Sequence, residues 1–119
     1  MTIERIQSGP RMSQAVKNGN TVYLAGQVAA GAPGTGVAGQ TLEILAKIDA
    51  LLAAAGTDKS RILTATIWLV DMGTFAEMNA VWDAWVAPGA APARATVTSP
   101  RLAAPAYKIE IAVTAALPG

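Results

Sequence analysis

The stretch 61-RILTATIWLVD-71 decides the fold. Leu63, Ala65, Ile67 and Leu69 alternate with Thr64, Thr66, Trp68 and Val70, the two-residue period of a strand. On its N-terminal side, 40-QTLEILAKIDALLAAAG-56 repeats at helical spacing. Leu45, Ile48, Leu52 and Ala55 form one stripe, flanked by Ile44 and Leu51, with Glu43 and Lys47 paired four residues apart on the outside. Gly56 is placed to end that helix, because glycine enters the left-handed conformation without a Cβ penalty. On the C-terminal side a second helix is predicted from Thr74. Thr74 and Glu77 match a capping box, and Phe75, Met78, Trp82 and Trp85 form the apolar stripe.

Outward from this core, Ile3 to Ile6 is a short opening segment. The runs 12-MSQAVK-17 and 20-NTVYLAGQVA-29 flank Asn18-Gly19, which predicts a hairpin whose two turn residues both take positive φ. The stretch 31-GAPGTGVAG-39 has the composition of a flexible loop. Beyond 87-APGAAP-92, a second loop, strands are predicted at 93–98 and 107–116. The order β-β-β-α-β-α-β-β is that of an α+β protein with a sheet of about six mostly antiparallel strands. Two helices cannot cover both faces of so wide a sheet, so both are expected on one face. The other face then carries Trp68, Val70 and Tyr23 among threonines. It is too apolar for open water, which predicts sheet-to-sheet packing between subunits.

Length and composition bound the function. At 119 residues the chain is expected to form one domain, residues 1–119. It has no cysteine and no histidine. That excludes disulfides, Cys or His metal ligands and any Ser-His-Asp or Cys-His nucleophile, and leaves proton transfer to carboxylates, Lys, Tyr or water. Net charge is +1, with the basic residues scattered, so no nucleic-acid partner is expected. The start MTIERIQSG lacks the pattern of a signal peptide, and no apolar run approaches the ~20 residues of a membrane span. A soluble cytoplasmic protein is the expectation. Hydrophobic residues make up 52% and charged residues 14%, against about 25% charged in ordinary domains. So few charges hint again at surface covered by another subunit.

Three features carry candidate chemistry. The run 34-GTGVAG-39 matches G-x-G-x-x-G, but its preceding strand belongs to a hairpin rather than a parallel βαβ unit. A loop before a helix is the better reading. Asn79 follows Phe75 by one helical turn, so its amide either bonds a neighbouring loop or lines a pocket. Arg94 shares a strand side with Thr96 and Thr98. Glu110 shares one with Lys108, Ala112 and Thr114, opposite Tyr107, Ile109, Ile111 and Val113. If that apolar set meets the helices, Glu110 points to the second face. The two charges form either a rim salt bridge worth little, or an arginine fork for a carboxylate with a glutamate near a reacting centre. Periodicity leaves both readings open.

The pattern P-A-R-x-x-V followed by K-I-E-I, with 25-AGQV-28 and the D-x-x-x-F-x-x-M-N run from Asp71 to Asn79, resembles the RidA/YjgF family. The similarity runs from Arg11 and Ser13 to Ala115, and the R-x-S opening and 82-WDAW-85 look closer to its YoaB-like branch than to RidA proper. The resemblance implies a chorismate-mutase-like fold assembled as a homotrimer with pockets between subunits. It implies cofactor-free hydrolysis of 2-imino and enamine acids, such as 2-aminoacrylate, to 2-keto acids and ammonia. By position, Arg94 would clamp the substrate carboxylate and Glu110 would activate water. Gly26, Thr96 and Asn79 would line the pocket. Met12 stands where RidA proper has a tyrosine and Thr96 where it has a cysteine, which bears on substrate choice. The apolar second face draws Arg94 and Glu110 towards a subunit interface, so Arg94 is expected in a pocket between chains, with Glu110 near enough to share one small carboxylate substrate. Non-catalytic binding of small carboxylate metabolites is the alternative; ribonuclease activity, attached to some family members, finds little support in the scattered charge.

Overall fold

Alternation along 109–116 sets which way the sheet faces. Ile109, Ile111, Val113 and Ala115 are buried, while Glu110, Ala112, Thr114 and Ala116 are half-buried. The computed structural model describes residues 2–31 and 35–119. Its strands are β1 (Glu4–Ser8), β2 (Ser13–Asn18), β3 (Thr21–Leu24), β4 (Ile62–Leu69), β5 (Ala93–Thr98) and β6 (Ile109–Ala116). They lie in the spatial order β1-β2-β3-β6-β4-β5. Only β4 and β5 run parallel, because a helix returns the chain between them; the other neighbours are antiparallel.

The helices are α1 (Val37–Ala55) and α2 (Phe75–Trp85). The stripe read on α1 is buried as expected, against Ala65, Ile67 and Leu69 of β4 and the odd-numbered positions of β6. From α2, Met78 and Trp82 join the same core. Both helices therefore lie on one face. A thinnest dimension of 21 Å fits one sheet with one helix layer. Gly56 ends α1 at φ 90°, and Glu43 and Lys47 pair at 3.5 Å.

Four local expectations are corrected. The first hairpin pairs Asn18 with Thr21, so the turn is Gly19-Asn20, with positive φ (63°) at Gly19 alone. The glycine takes the first turn position, which satisfies the twist without a second left-handed residue. A register shift between Ile62 and Thr64 turns Ile62 inward and leaves Leu63 exposed, breaking the alternation at the start of β4. The first turn of α1 begins at Val37, inside the stretch read as loop; Ala32, Pro33 and Gly34, the first glycine of the G-x-G-x-x-G match, lie outside the described residues. Finally, Thr74 and Glu77 form no capping box. The Thr74 hydroxyl donates to Asp71 O, while Glu77 Oε2 accepts from Ala38 N across the helix pair. A carboxylate thus occupies the N-terminus of α1, where a dinucleotide phosphate would have to sit, which speaks against dinucleotide binding, although Val37, Ala38 and Gly39 of the motif are helix rather than loop.

Candidate active site

Arg94 is carried by edge strand β5, where the parallel register pairs it with Ala65 and pairs Thr96 with Ile67. Paired residues of neighbouring strands point to the same side, and Ala65 and Ile67 are core residues beneath the helices. Arg94 and Thr96 therefore lie on the helix side of the sheet. The guanidinium stands 5.2 Å from the Trp82 ring centroid and 5.9 Å from that of Phe75, two residues of one α2 stripe. Ring faces attract a cation, so this platform holds the arginine without a counter-ion. Asn79 occupies the same stripe, one turn from each ring. Asn79 Oδ1 and Thr96 Oγ1 are both buried with no hydrogen-bond partner. A buried polar group without a partner costs roughly 1–3 kcal/mol, and neither atom is satisfied by the described residues of the chain itself.

Glu110 is carried by β6 and pairs with Trp68, on the opposite side from the helices. It lies against Gly26. A Cβ on Gly26 would stand 2.9 Å from the Glu110 Cδ and 3.1 Å from its Cγ, so only glycine admits the carboxylate there. Reciprocal bonds between Gln27 and Ile111, at 2.8 and 3.1 Å, fasten this segment to β6. The bond from Ala25 N to Gln14 O (2.9 Å) extends the β2–β3 ladder past Leu24 and brings the start of β2 alongside. Met12, half exposed at 48%, stands at that end.

The six candidates thus fall into two groups. Arg94, Thr96 and Asn79 belong to the seam of α2 and β5; Glu110, Gly26 and Met12 belong to the far side of β6 and the start of β2. Glu110 points to the second face as expected; Arg94 does not share that face within one chain, and the two form no salt bridge with each other. Two strand steps, roughly 10 Å, and the thickness of the sheet separate them. From β2 to β5 there are four steps, roughly 19 Å.

The aromatic platform under Arg94 went unassigned in the sequence; the spacing Phe75, Asn79, Trp82 was visible, its pairing with β5 was not. Gln40 is a second residue with no sequence signal beyond its place in a helix. It is fully buried, donates to Thr35 O and Ala106 O (3.1 and 2.8 Å) and accepts from Lys108 N at 2.9 Å. It thereby ties the loop before β6 to α1. Among the described residues no group of three or more Asp or Glu is placed to hold a metal ion, and no helix is long and apolar enough to cross a membrane.

The chain is a small α+β protein whose polar candidate residues form two separate groups on a helix-backed sheet. The family model described as Endoribonuclease L-PSP matches residues 2–117, and the chain belongs to that family, also called the YjgF/RidA family. It is 46% identical to the RutC family protein YoaB of Escherichia coli over 117 residues, which cover 98% of this chain and 100% of the relative. A RutC family protein of Haemophilus ducreyi is 44% identical over 115 residues, 97% of each chain. The crystal structure of a YjgF family member from Neisseria meningitidis superposes with a TM-score of 0.92 at 46% identity, covering 100% of this chain and 98% of the other.

Proposed function

We propose that this protein is a cofactor-free hydrolase of 2-imino and enamine acids, assembled as a homotrimer, with each site built from the Arg94 half of one subunit and the Glu110 half of the next. One observation carries the reading: the arginine side holds two buried, unpartnered polar atoms, while the glutamate sits on the other side of the same sheet. Each half lacks what the other supplies.

The chemistry suits these residues. Arg94 offers a planar fork for the substrate carboxylate, and its ring platform presets the direction of that fork. An enamine acid is first protonated at its terminal carbon and becomes the imine. Water then attacks the imine carbon. As the C–O bond forms, Glu110 takes a proton from the water, and the imine nitrogen keeps the electron pair of the broken π bond. The tetrahedral carbinolamine collapses when that nitrogen, taking from Glu110 the proton that the carboxylate received from water, leaves as ammonia. The remaining hydroxyl loses its proton and the 2-keto acid is complete. Such imines hydrolyse unaided, so orientation and proton transfer suffice as catalysis. In this reading the Thr96 hydroxyl donates to the carboxylate and Asn79 Oδ1 accepts from the substrate nitrogen, which would give both unpartnered atoms a hydrogen bond.

The test is ammonia release from 2-aminoacrylate or 2-iminobutanoate formed in situ by an amino-acid dehydratase. Arg94→Ala is expected to lower the rate at least a hundredfold, the scale of losing a bidentate charge-assisted contact. Mixing Arg94→Ala with Glu110→Gln subunits should restore part of the activity, because one interface in such a mixture regains both wild-type halves. A wild-type rate no higher than that of Arg94→Ala sinks the proposal. Saturable binding of 2-oxobutanoate without turnover would favour a metabolite sensor instead.

A further inference from the structure

A cavity of about 510 Å³ lies beneath the segment 99–108, between the end of β4 and the start of β6. Its size falls within the range of small-molecule sites, and its walls are largely apolar: Val70, Leu102, Pro105 and Tyr107. Two cations, Arg101 and Lys108, also line it, and no acidic residue does. Neither is within salt-bridge distance of a carboxylate among the described residues. The wall is anchored rather than loose. Gln40 holds Ala106 O and Lys108 N, Tyr107 N bonds Ala104 O, and Ser99 Oγ bonds Arg101 O. Val70 N bonds Lys108 O at 3.1 Å, which joins the two ends of the cavity across the sheet.

The position of this cavity relative to Glu110 gives it a meaning. Lys108 and Glu110 are two residues apart in an extended segment, so their side chains leave the same side of the sheet roughly 7 Å apart. In a 2-imino dicarboxylate the distal carboxylate oxygens lie roughly 4–5 Å from the reacting carbon, and a hydrogen bond of about 2.8 Å beyond them reaches a cation on the scale of that spacing. We propose that this cavity receives the substrate's side chain, and that the preferred substrates are 2-imino acids bearing a second carboxylate, met by Arg101 and Lys108. The apolar wall lies against the methylenes between the two ends. The assignment rests on the deaminase reading for the role of Glu110, but the cavity and its charges are independent of turnover.

The experiment compares binding and turnover on the assembled protein. Calorimetric titration with 2-oxoglutarate and with 2-oxobutanoate is expected to show the dicarboxylate bound about tenfold more tightly at low salt, the scale of one exposed charge-assisted contact. In the double variant Arg101→Gln/Lys108→Met the ratio should fall to about one; either single substitution, both on exposed side chains, should lower it part of the way. Equal affinity for the two acids in the wild type, or a ratio unchanged in the double variant, overturns the assignment. Turnover separates it from the reading above. Hydrolysis of 2-iminobutanoate with no preference for 2-iminoglutarate removes the cavity from substrate selection and leaves the deaminase. A dicarboxylate preference in binding with no imine turned over removes the deaminase and leaves the cavity as a dicarboxylate site.

Discussion

Gly26 and Glu110 show how much of the candidate site depends on a single missing methyl group. The glutamate carboxylate lies where a Gly26 side chain would have to be. Gly26→Ala should therefore leave the fold in place and push the carboxylate aside. We expect at least a tenfold loss of kcat with a smaller change in KM, since a carboxylate moved by about an ångström no longer meets the attacking water. Circular dichroism showing an unfolded protein would instead make Gly26 structural. The identities of Arg94 and Glu110 stood out in the sequence because charges inside short apolar strands are unusual. The direction of Glu110 followed from the alternation of β6, whereas that of Arg94 did not follow from β5. Ala93, Ala95 and Val97 are the apolar side of β5, yet they are exposed, and Arg94 and Thr96 turn towards the helices. The rings of Phe75 and Trp82 reverse the expected order, because an aromatic face can cover a guanidinium that an aliphatic core would reject.

Helices and strands were legible at the level of existence and facing. The α1 stripe, the Gly56 stop and the alternation of β6 all follow from local periodicity, and the structure buries the same residues. What local patterns could not show is which distant group satisfies a helix end or a loop. Glu77 caps α1 instead of its own helix because the two helices meet there and the carboxylate reaches Ala38 N. Gln40 likewise bonds backbone 66 and 68 residues away in sequence. Removing it leaves the part-buried Ala106 carbonyl and Lys108 amide without their partner. Gln40→Ala is expected to lower unfolding free energy by about 3 kcal/mol in urea denaturation, at roughly 1–3 kcal/mol for each orphaned group. A loss below about 1 kcal/mol would show that water replaces the side chain and that the loop before β6 does not depend on it.

For the whole molecule, the decisive feature is the sheet face without helices. Tyr23 and Val97, 48% and 43% exposed, stand on it with Trp68, Thr66, Ala112 and the hydrogen-bonded pair Thr64 and Thr114, whose hydroxyls are 2.6 Å apart. Glu110 is the acidic residue near its centre. Such a face is expected to pack against neighbouring subunits, and the proposed two-subunit site requires it. Val97→Asp should shift the mass measured by light scattering from three chains to one, keep the far-UV spectrum, and abolish imine hydrolysis. A wild-type protein that is monomeric at micromolar concentration while hydrolysing imines would rule out the two-subunit site. By itself the sequence determined the elements, their apolar faces and the residues able to do chemistry, because these depend on periodicity and residue type within a few turns. Only the tertiary structure decided that Arg94 and Glu110 leave the sheet on opposite sides, because that depends on how β5 pairs with β4 and on which rings of α2 lie above it.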